Sequence, residues 1–132
     1  MRRRIVAGNW KMNTNLEDAK ALVISILNDE MLNQNTCQVI IAPPFTHLYP
    51  ISQLIGGSKI EMAAQNCASE KSGAFTGEVS IEMLQSVGTK YVIIGHSERR
   101  QYFGEESAIL LKKLQLTLEA GLTPIFCIGE QL

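Results

Sequence analysis

The sequence predicts an α/β fold built on a parallel sheet, and three observations carry that expectation. Five short runs rich in branched apolar residues recur along the chain, four of them are nearly continuous rather than alternating, and segments with helical periodicity lie between them. Continuous apolar runs of this length suit strands buried on both faces, as in parallel sheets. Strands joined by helical crossovers imply a parallel sheet covered by helices.

The first run is Ile5-Val6-Ala7. After it, Leu16, Ala19, Leu22, Val23, Ile26 and Leu27 repeat at helical spacing, and Thr14 with Glu17 forms a possible capping box. Val39-Ile40-Ile41-Ala42 is the second strand candidate. A short helix over 46–55 follows, carrying Leu48, Ile51, Leu54 and Ile55 and stopping at Gly56-Gly57; its Pro50 argues against a long regular helix. The third run, 60–64, is less clean because Glu61 interrupts it, and its assignment leans on its neighbours. A helix over 80–87 ends at Gly88. The fourth strand candidate is 91–94. The last helix covers 105–120, with Leu111, Leu114 and Leu118 on one stripe, Gly121 at its C′ position and Pro124 beyond. The fifth strand candidate is 125–128.

The order is thus βαβαβαβαβ, five strands and four helices in one domain over 1–132, with no linker and no low-complexity stretch. A doubly wound sheet and a (β/α)₈ barrel both fit, and pattern alone does not separate them. One connection is unusual. From Cys67 to Val79 the chain is polar and aperiodic, and loops of about this length without their own structure tend to be functional.

Composition narrows the function classes. A 45% hydrophobic, 19% charged chain of 132 residues is globular and long enough to bury a core. Its formal net charge of −1, with the two signs interspersed, argues against a nucleic-acid partner. Arg2-Arg3-Arg4 is the one basic cluster, and the apolar stretch behind it is too short for a secretory leader. No segment approaches the length of a membrane span. Cys37, Cys67 and Cys127 are scattered without metal-ligand spacing, so no metal is expected, and such a set suits a reducing cytoplasm.

Polar groups gather just after the strand candidates: Asn9 and Lys11, then Gln65 and Asn66, then His96-Ser97-Glu98, then Glu130. Ligands of parallel α/β folds lie at that edge. His96 follows a buried strand where a helical turn can start, and the amides of such a turn disfavour a positive charge on the ring. An uncharged imidazole can donate to and polarise a substrate carbonyl. Lys11 is a point charge suited to an anionic substrate, although a lysine in this position is usually surface decoration. On residue type alone, Glu98, Arg99 and Arg100 read as a structural ion-pair cluster and His47 as a capping or surface residue. No nucleotide-binding loop, nucleophile elbow or metal motif is present.

Six motifs in order resemble the triosephosphate isomerase family: Ala7-Gly8-Asn9-Trp10-Lys11-Met12-Asn13, Ile41-Ala42-Pro43-Pro44, Ala64-Gln65-Asn66, Gly73-Ala74-Phe75-Thr76-Gly77-Glu78, Ile94-Gly95-His96-Ser97-Glu98-Arg99-Arg100 and Cys127-Ile128-Gly129-Glu130. They span nearly the whole chain. The resemblance implies the N-terminal half of a single parallel (β/α)₈ TIM barrel. It also implies an isomerase of glycolysis and gluconeogenesis that interconverts dihydroxyacetone phosphate and D-glyceraldehyde 3-phosphate through an enediolate, without a cofactor. His96 would be the neutral electrophile, Lys11 the substrate-binding cation with Asn9 beside it, and Glu98 the support for Lys11. Phe75, Thr76, Gly77 and Glu78 would form a homodimer loop that enters the partner subunit near that subunit's Asn9 and Lys11.

A full barrel takes about 250 residues and eight strands. The family's general base, a glutamate after a sixth strand, has no counterpart here, and Glu130 follows the fifth. Two expectations result. The chain is either a piece of an isomerase that acts only with the rest of the barrel, or a non-catalytic fragment that associates with itself through its loop and open sheet edges.

Overall fold

The computed structural model describes residues 2–34 and 36–129. Its elements are β1 (Ile5–Asn9), α1 (Leu16–Leu27), α2 (Glu30–Gln34), β2 (Gln38–Ala42), a 3₁₀ turn (Phe45–His47), α3 (Leu48–Ile55), β3 (Ile60–Ala64), α4 (Ile81–Ser86), β4 (Tyr91–Ile94), α5 (Ser97–Tyr102), α6 (Ser107–Glu119) and β5 (Thr123–Phe126). All neighbouring strands pair in parallel, in the order β1-β2-β3-β4-β5.

That order separates the two architectures. A doubly wound sheet reverses its strand order at a switch point and carries helices on both faces. Here every strand is added on the same side, and right-handed crossovers then put the connecting helices that pack on the sheet on one face. Alternate strand residues sort accordingly. Ile41, Met62, Ala64, Val92 and Ile94 pack against the helices in one core, while Ile40, Ala42, Ala63 and Ile93 form a smaller core on the concave face. The sheet is the first part of a curled (β/α) barrel.

Burial follows position in the sheet. The central strands β2, β3 and β4 are largely buried, but β1 and β5 are not. The expected buried strand at 125–128 is corrected in two ways. The strand runs Thr123–Phe126, and Phe126 and Ile128 are exposed at 42% and 81%. Register with β4 sets the start, since Tyr91 pairs with Thr123, and no strand covers the outer side of β5 among the described residues. Glu130 lies outside the described residues.

Local chemistry sets the element ends. The expected Thr14 capping box is displaced by one residue: Asn15 is the N-cap of α1, its Oδ1 accepting the Asp18 amide at 2.9 Å, while Thr14 has φ +72°. Ser80 caps α4 in the same manner. Pro50 sits in the first turn of α3, where an amide proton has no helical acceptor to lose. Gly121 ends α6 at φ +74°, a conformation that costs a glycine little.

Four expected helices become six among the described residues. α2 is too short for a periodic signal, and α5 reads Ser-Glu-Arg-Arg-Gln-Tyr with no buried residue, so neither leaves an apolar stripe. On α6 the expected stripe is also offset. Leu110, Lys113 and Thr117 are buried, whereas Leu111 and Leu118 are exposed. Lys113 pairs with Glu105, and Thr117 donates to the Lys113 carbonyl at 2.7 Å, so a polar face is buried by being satisfied internally.

Candidate active site

Segments at the C-terminal ends of β1, β2, β3 and β4 enclose an open cleft of about 310 Å³, whose polar lining includes Asn9, Lys11, Gln65, Asn66, His96 and Glu98. All six are residues that sequence reasoning picks by their place after a strand candidate, although Asn9 is the last residue of β1 itself. A larger hollow of about 690 Å³ opens at the opposite ends of the strands, around Arg3, Gln38, Lys59 and Glu61. In barrels that end serves stability while the C-terminal end carries chemistry, so size alone does not mark the site.

Lys11 is held at both backbone and side chain. Its residue adopts φ +55°, unusual for a side chain bearing a Cβ. Its amide donates to Asn9 Oδ1 at 2.9 Å, and its carbonyl accepts from Gln65 Nε2 at 2.9 Å. The same Gln65 nitrogen donates to the Ala42 carbonyl at 2.8 Å, so one amide side chain joins the ends of three strands. The ammonium group reaches Glu98 Oε1 at 2.7 Å. That hydrogen bond holds the Glu98 carboxyl below its ordinary range, with the Lys11 charge adding to it.

His96 is the N-cap of α5, and its Nδ1 accepts the Glu98 amide at 3.2 Å. An amide can only donate, so Nδ1 presents a lone pair and the ring proton sits on Nε2. Glu98 Oε2 is 3.5 Å from the same nitrogen, beyond a good hydrogen bond, and the shorter amide contact decides the tautomer. Nε2 is thereby left to act as a neutral donor. The carboxylate of Glu98 thus lies between the two groups, one oxygen on Lys11 and the other beside His96.

The apparent cluster Glu98-Arg99-Arg100 is three separate devices. Glu98 pairs with Lys11, Arg99 Nε pairs with Glu105 Oε1 at 2.8 Å, and Arg100 donates to two backbone carbonyls. Behind the cleft, the buried Lys113 donates to Asn66 Oδ1 at 2.8 Å and also to Glu105. Burial raises the Glu105 carboxyl, but hydrogen bonds from Lys113 and Arg99 outweigh it and the net shift is downward. Sequence reading missed this network, because Lys113 falls on a helix that looks simply amphipathic. It also misread His47, which is buried with Nε2 donating to the Thr14 carbonyl at 3.1 Å. That bond secures the left-handed Thr14 and links the first two loops.

Phe75, Thr76, Gly77 and Glu78 are exposed, on a loop whose base is tied by the Ala68 amide donating to the Val79 carbonyl at 2.8 Å. Apolar side chains rim the cleft as well: Met12 is 95% exposed and Phe103 67%. Among the described residues no group of three His, Cys, Asp or Glu is arranged to hold a metal. Nor, among them, is any helix long and apolar enough to cross a membrane.

The family profile described as "Triosephosphate isomerase" matches residues 4–132. Among curated proteins, the triosephosphate isomerase of Bacteroides fragilis is 54% identical over 100% of this chain and 53% of its own length. That of Porphyromonas gingivalis is 54% identical with the same coverage, and that of Aquifex aeolicus is 45% identical over 98% of this chain and 52% of its own. The chain therefore spans about half the length of the curated relatives it matches.

Proposed function

Because the chain belongs to the triosephosphate isomerase family, we propose that the complete protein interconverts dihydroxyacetone phosphate and D-glyceraldehyde 3-phosphate. The observation that carries this reading is the Nδ1 lone pair of His96 facing the Glu98 amide, which leaves Nε2–H as a donor in the cleft that Lys11 shares. A neutral donor aimed at a carbonyl or enediolate oxygen stabilises charge as it develops in the transition state. Asn9 and Lys11 bind the anionic substrate, and Glu98 steers the Lys11 ammonium by its 2.7 Å contact.

Proton abstraction beside the carbonyl also needs a base. The resemblance puts that base after a sixth strand, in the part of the relatives that these 132 residues do not span. The chain contributes the electrophilic half of the site. The reaction written this way moves protons within one substrate and calls on no cofactor. We further read the protein as a cytoplasmic homodimer. The exposed loop at 73–78, with Phe75 at 48% exposure, and the apolar cleft rim of Met12, Phe45 and Phe103 support an exchange of loops between two copies.

A coupled assay of dihydroxyacetone phosphate isomerisation with the complete protein tests the proposal. His96→Gln is expected to lower kcat by about 10²–10⁴-fold. Lys11→Met is expected to lower kcat/KM chiefly through KM. A complete protein that turns over neither triose phosphate, or a His96→Gln variant with undiminished kcat, would remove the basis for it.

A further inference from the structure

Arg100 lies behind His96 rather than in the cleft, and its guanidinium is engaged on three sides. Nε donates to the Gly95 carbonyl at 2.7 Å, Nη2 donates to the Cys127 carbonyl at 2.9 Å, and the group lies 5.7 Å from the centre of the Phe126 ring. The approach is close enough to dictate a residue. A Cβ on Gly95 would stand 2.7 Å from Arg100 Nη2, and Gly95 itself adopts φ +74°.

The Gly95 carbonyl belongs to the peptide group that includes the His96 amide nitrogen. A peptide group is planar, so fixing its oxygen fixes the plane from which His96 leaves the chain. The helix holds His96 on its C-terminal side, where its carbonyl accepts the Arg99 and Arg100 amides; Arg100 Nε holds the preceding peptide plane, and the Glu98 amide on Nδ1 sets the ring about its own axis. Without the Arg100 side chain the Gly95–His96 peptide plane could tilt, and a tilt of that plane redirects Nε2. The contact to Cys127 adds a further tie, because it fastens the same guanidinium to the chain just past β5. A lysine has one compact head and cannot match two carbonyls in a fixed fork.

Resting on the reading of His96 as the electrophile, we propose that Arg100 is a positioning residue, which fixes the Gly95–His96 peptide plane and so aims Nε2–H into the cleft. The experiment compares the complete wild-type protein with Arg100→Lys and Arg100→Gln, using ¹⁵N spectra of histidine-labelled samples and steady-state kinetics. In the wild type, His96 gives a lone-pair Nδ1 signal and a protonated Nε2 signal. In the variants these two signals move toward each other, while the ring of His47 serves as the unchanged control. The variants also lose about 10–100-fold in kcat, with KM within about twofold, as expected when a catalytic group is misplaced by a fraction of an ångström. Arg100→Lys keeps one of the two carbonyl bonds and recovers part of the loss.

A folded variant with both the wild-type His96 signals and the wild-type kcat overturns the proposal. If Arg100→Gln does not fold, Arg100→Lys decides; if neither folds, the arginine serves overall stability and the proposal fails. A wild-type protein without isomerase activity, whose His96 signals nonetheless shift on substitution, would sink the functional reading while leaving the positioning role intact.

Discussion

At the scale of single residues, the most buried ion pair lies behind the cleft rather than in it. Glu105 and Lys113 are both buried, with side chains 6% and 5% exposed, and Arg99 joins them from the surface side. Removing one member of a buried pair leaves the other charge desolvated and unpaired, which costs about 3–5 kcal/mol. Glu105→Gln should therefore destabilise the protein by about that amount, read as a lowered midpoint of urea unfolding. The net downward shift of the Glu105 carboxyl also sets a pH dependence. A carboxyl whose folded-state pKa is depressed contributes stability above its ordinary range and loses it as pH falls through the folded value. Wild-type stability should thus decline below about pH 4.5, and that decline should be shallower in Glu105→Gln. Cys67 provides a second residue-level test. It is fully buried, and burial pushes its thiol up to about 11. Thiol labelling at pH 8 followed by peptide mapping should leave Cys67 unmodified until denaturant is added; fast native labelling would contradict its packing.

At the scale of elements, the first loop and helix hold the most information. α1 takes its N-terminus from Asn15, so Asn15→Ala should cost about 1 kcal/mol, visible in thermal unfolding. Thr14 is β-branched at φ +72°, and Thr14→Gly should be neutral or mildly stabilising there, whereas the same change on a regular helix is unfavourable. The sequence placed this helix correctly because Ala19 and Val23 recur at its buried face, yet it misassigned the cap. Thr and Asn are both good caps, and only the backbone of Thr14, tied down by the buried His47, decides between them. α5 shows the reverse problem. Its polar sequence carries no hydrophobic periodicity, and its existence follows from its neighbours: His96 caps its start, and Arg100 anchors it to the end of β4.

At the scale of the whole molecule, the two edge strands govern behaviour. β1 and β5 have a partner on one side only among the described residues, and Ile5, Val6 and Phe126 are exposed at 51%, 58% and 42%. On α6, Leu111 is exposed in the same hollow as Phe126, and Leu118 is exposed as well. Unpaired strand edges and contiguous apolar surface both favour association. A polypeptide of these 132 residues alone should therefore sediment as dimers or larger species whose size grows with concentration. The reading of a self-associating, non-catalytic fragment rests on the same edges, and isomerase assays on this polypeptide with and without the remaining barrel would separate it from the enzymatic reading. A single compact monomer with sharp thermal unfolding would show that the open edges cost less than this surface implies.

The sequence by itself determined that there are strands joined by helices, and which sheet edge carries the candidate cleft. Those features depend on local signals: continuous apolar runs, residues at helical spacing, and polar groups just after a strand, as at Asn9, Lys11 and His96. The tertiary structure alone decided the sheet order that distinguishes a barrel from a doubly wound sheet, the exposure of β5, and the partners of Glu98, Arg99, Arg100 and Lys113. The physical reason is range. Periodicity and capping are settled within a few residues, whereas Lys11 and Glu98 meet across 87 positions, and a charge reveals its partner only when the strands that carry both stand side by side.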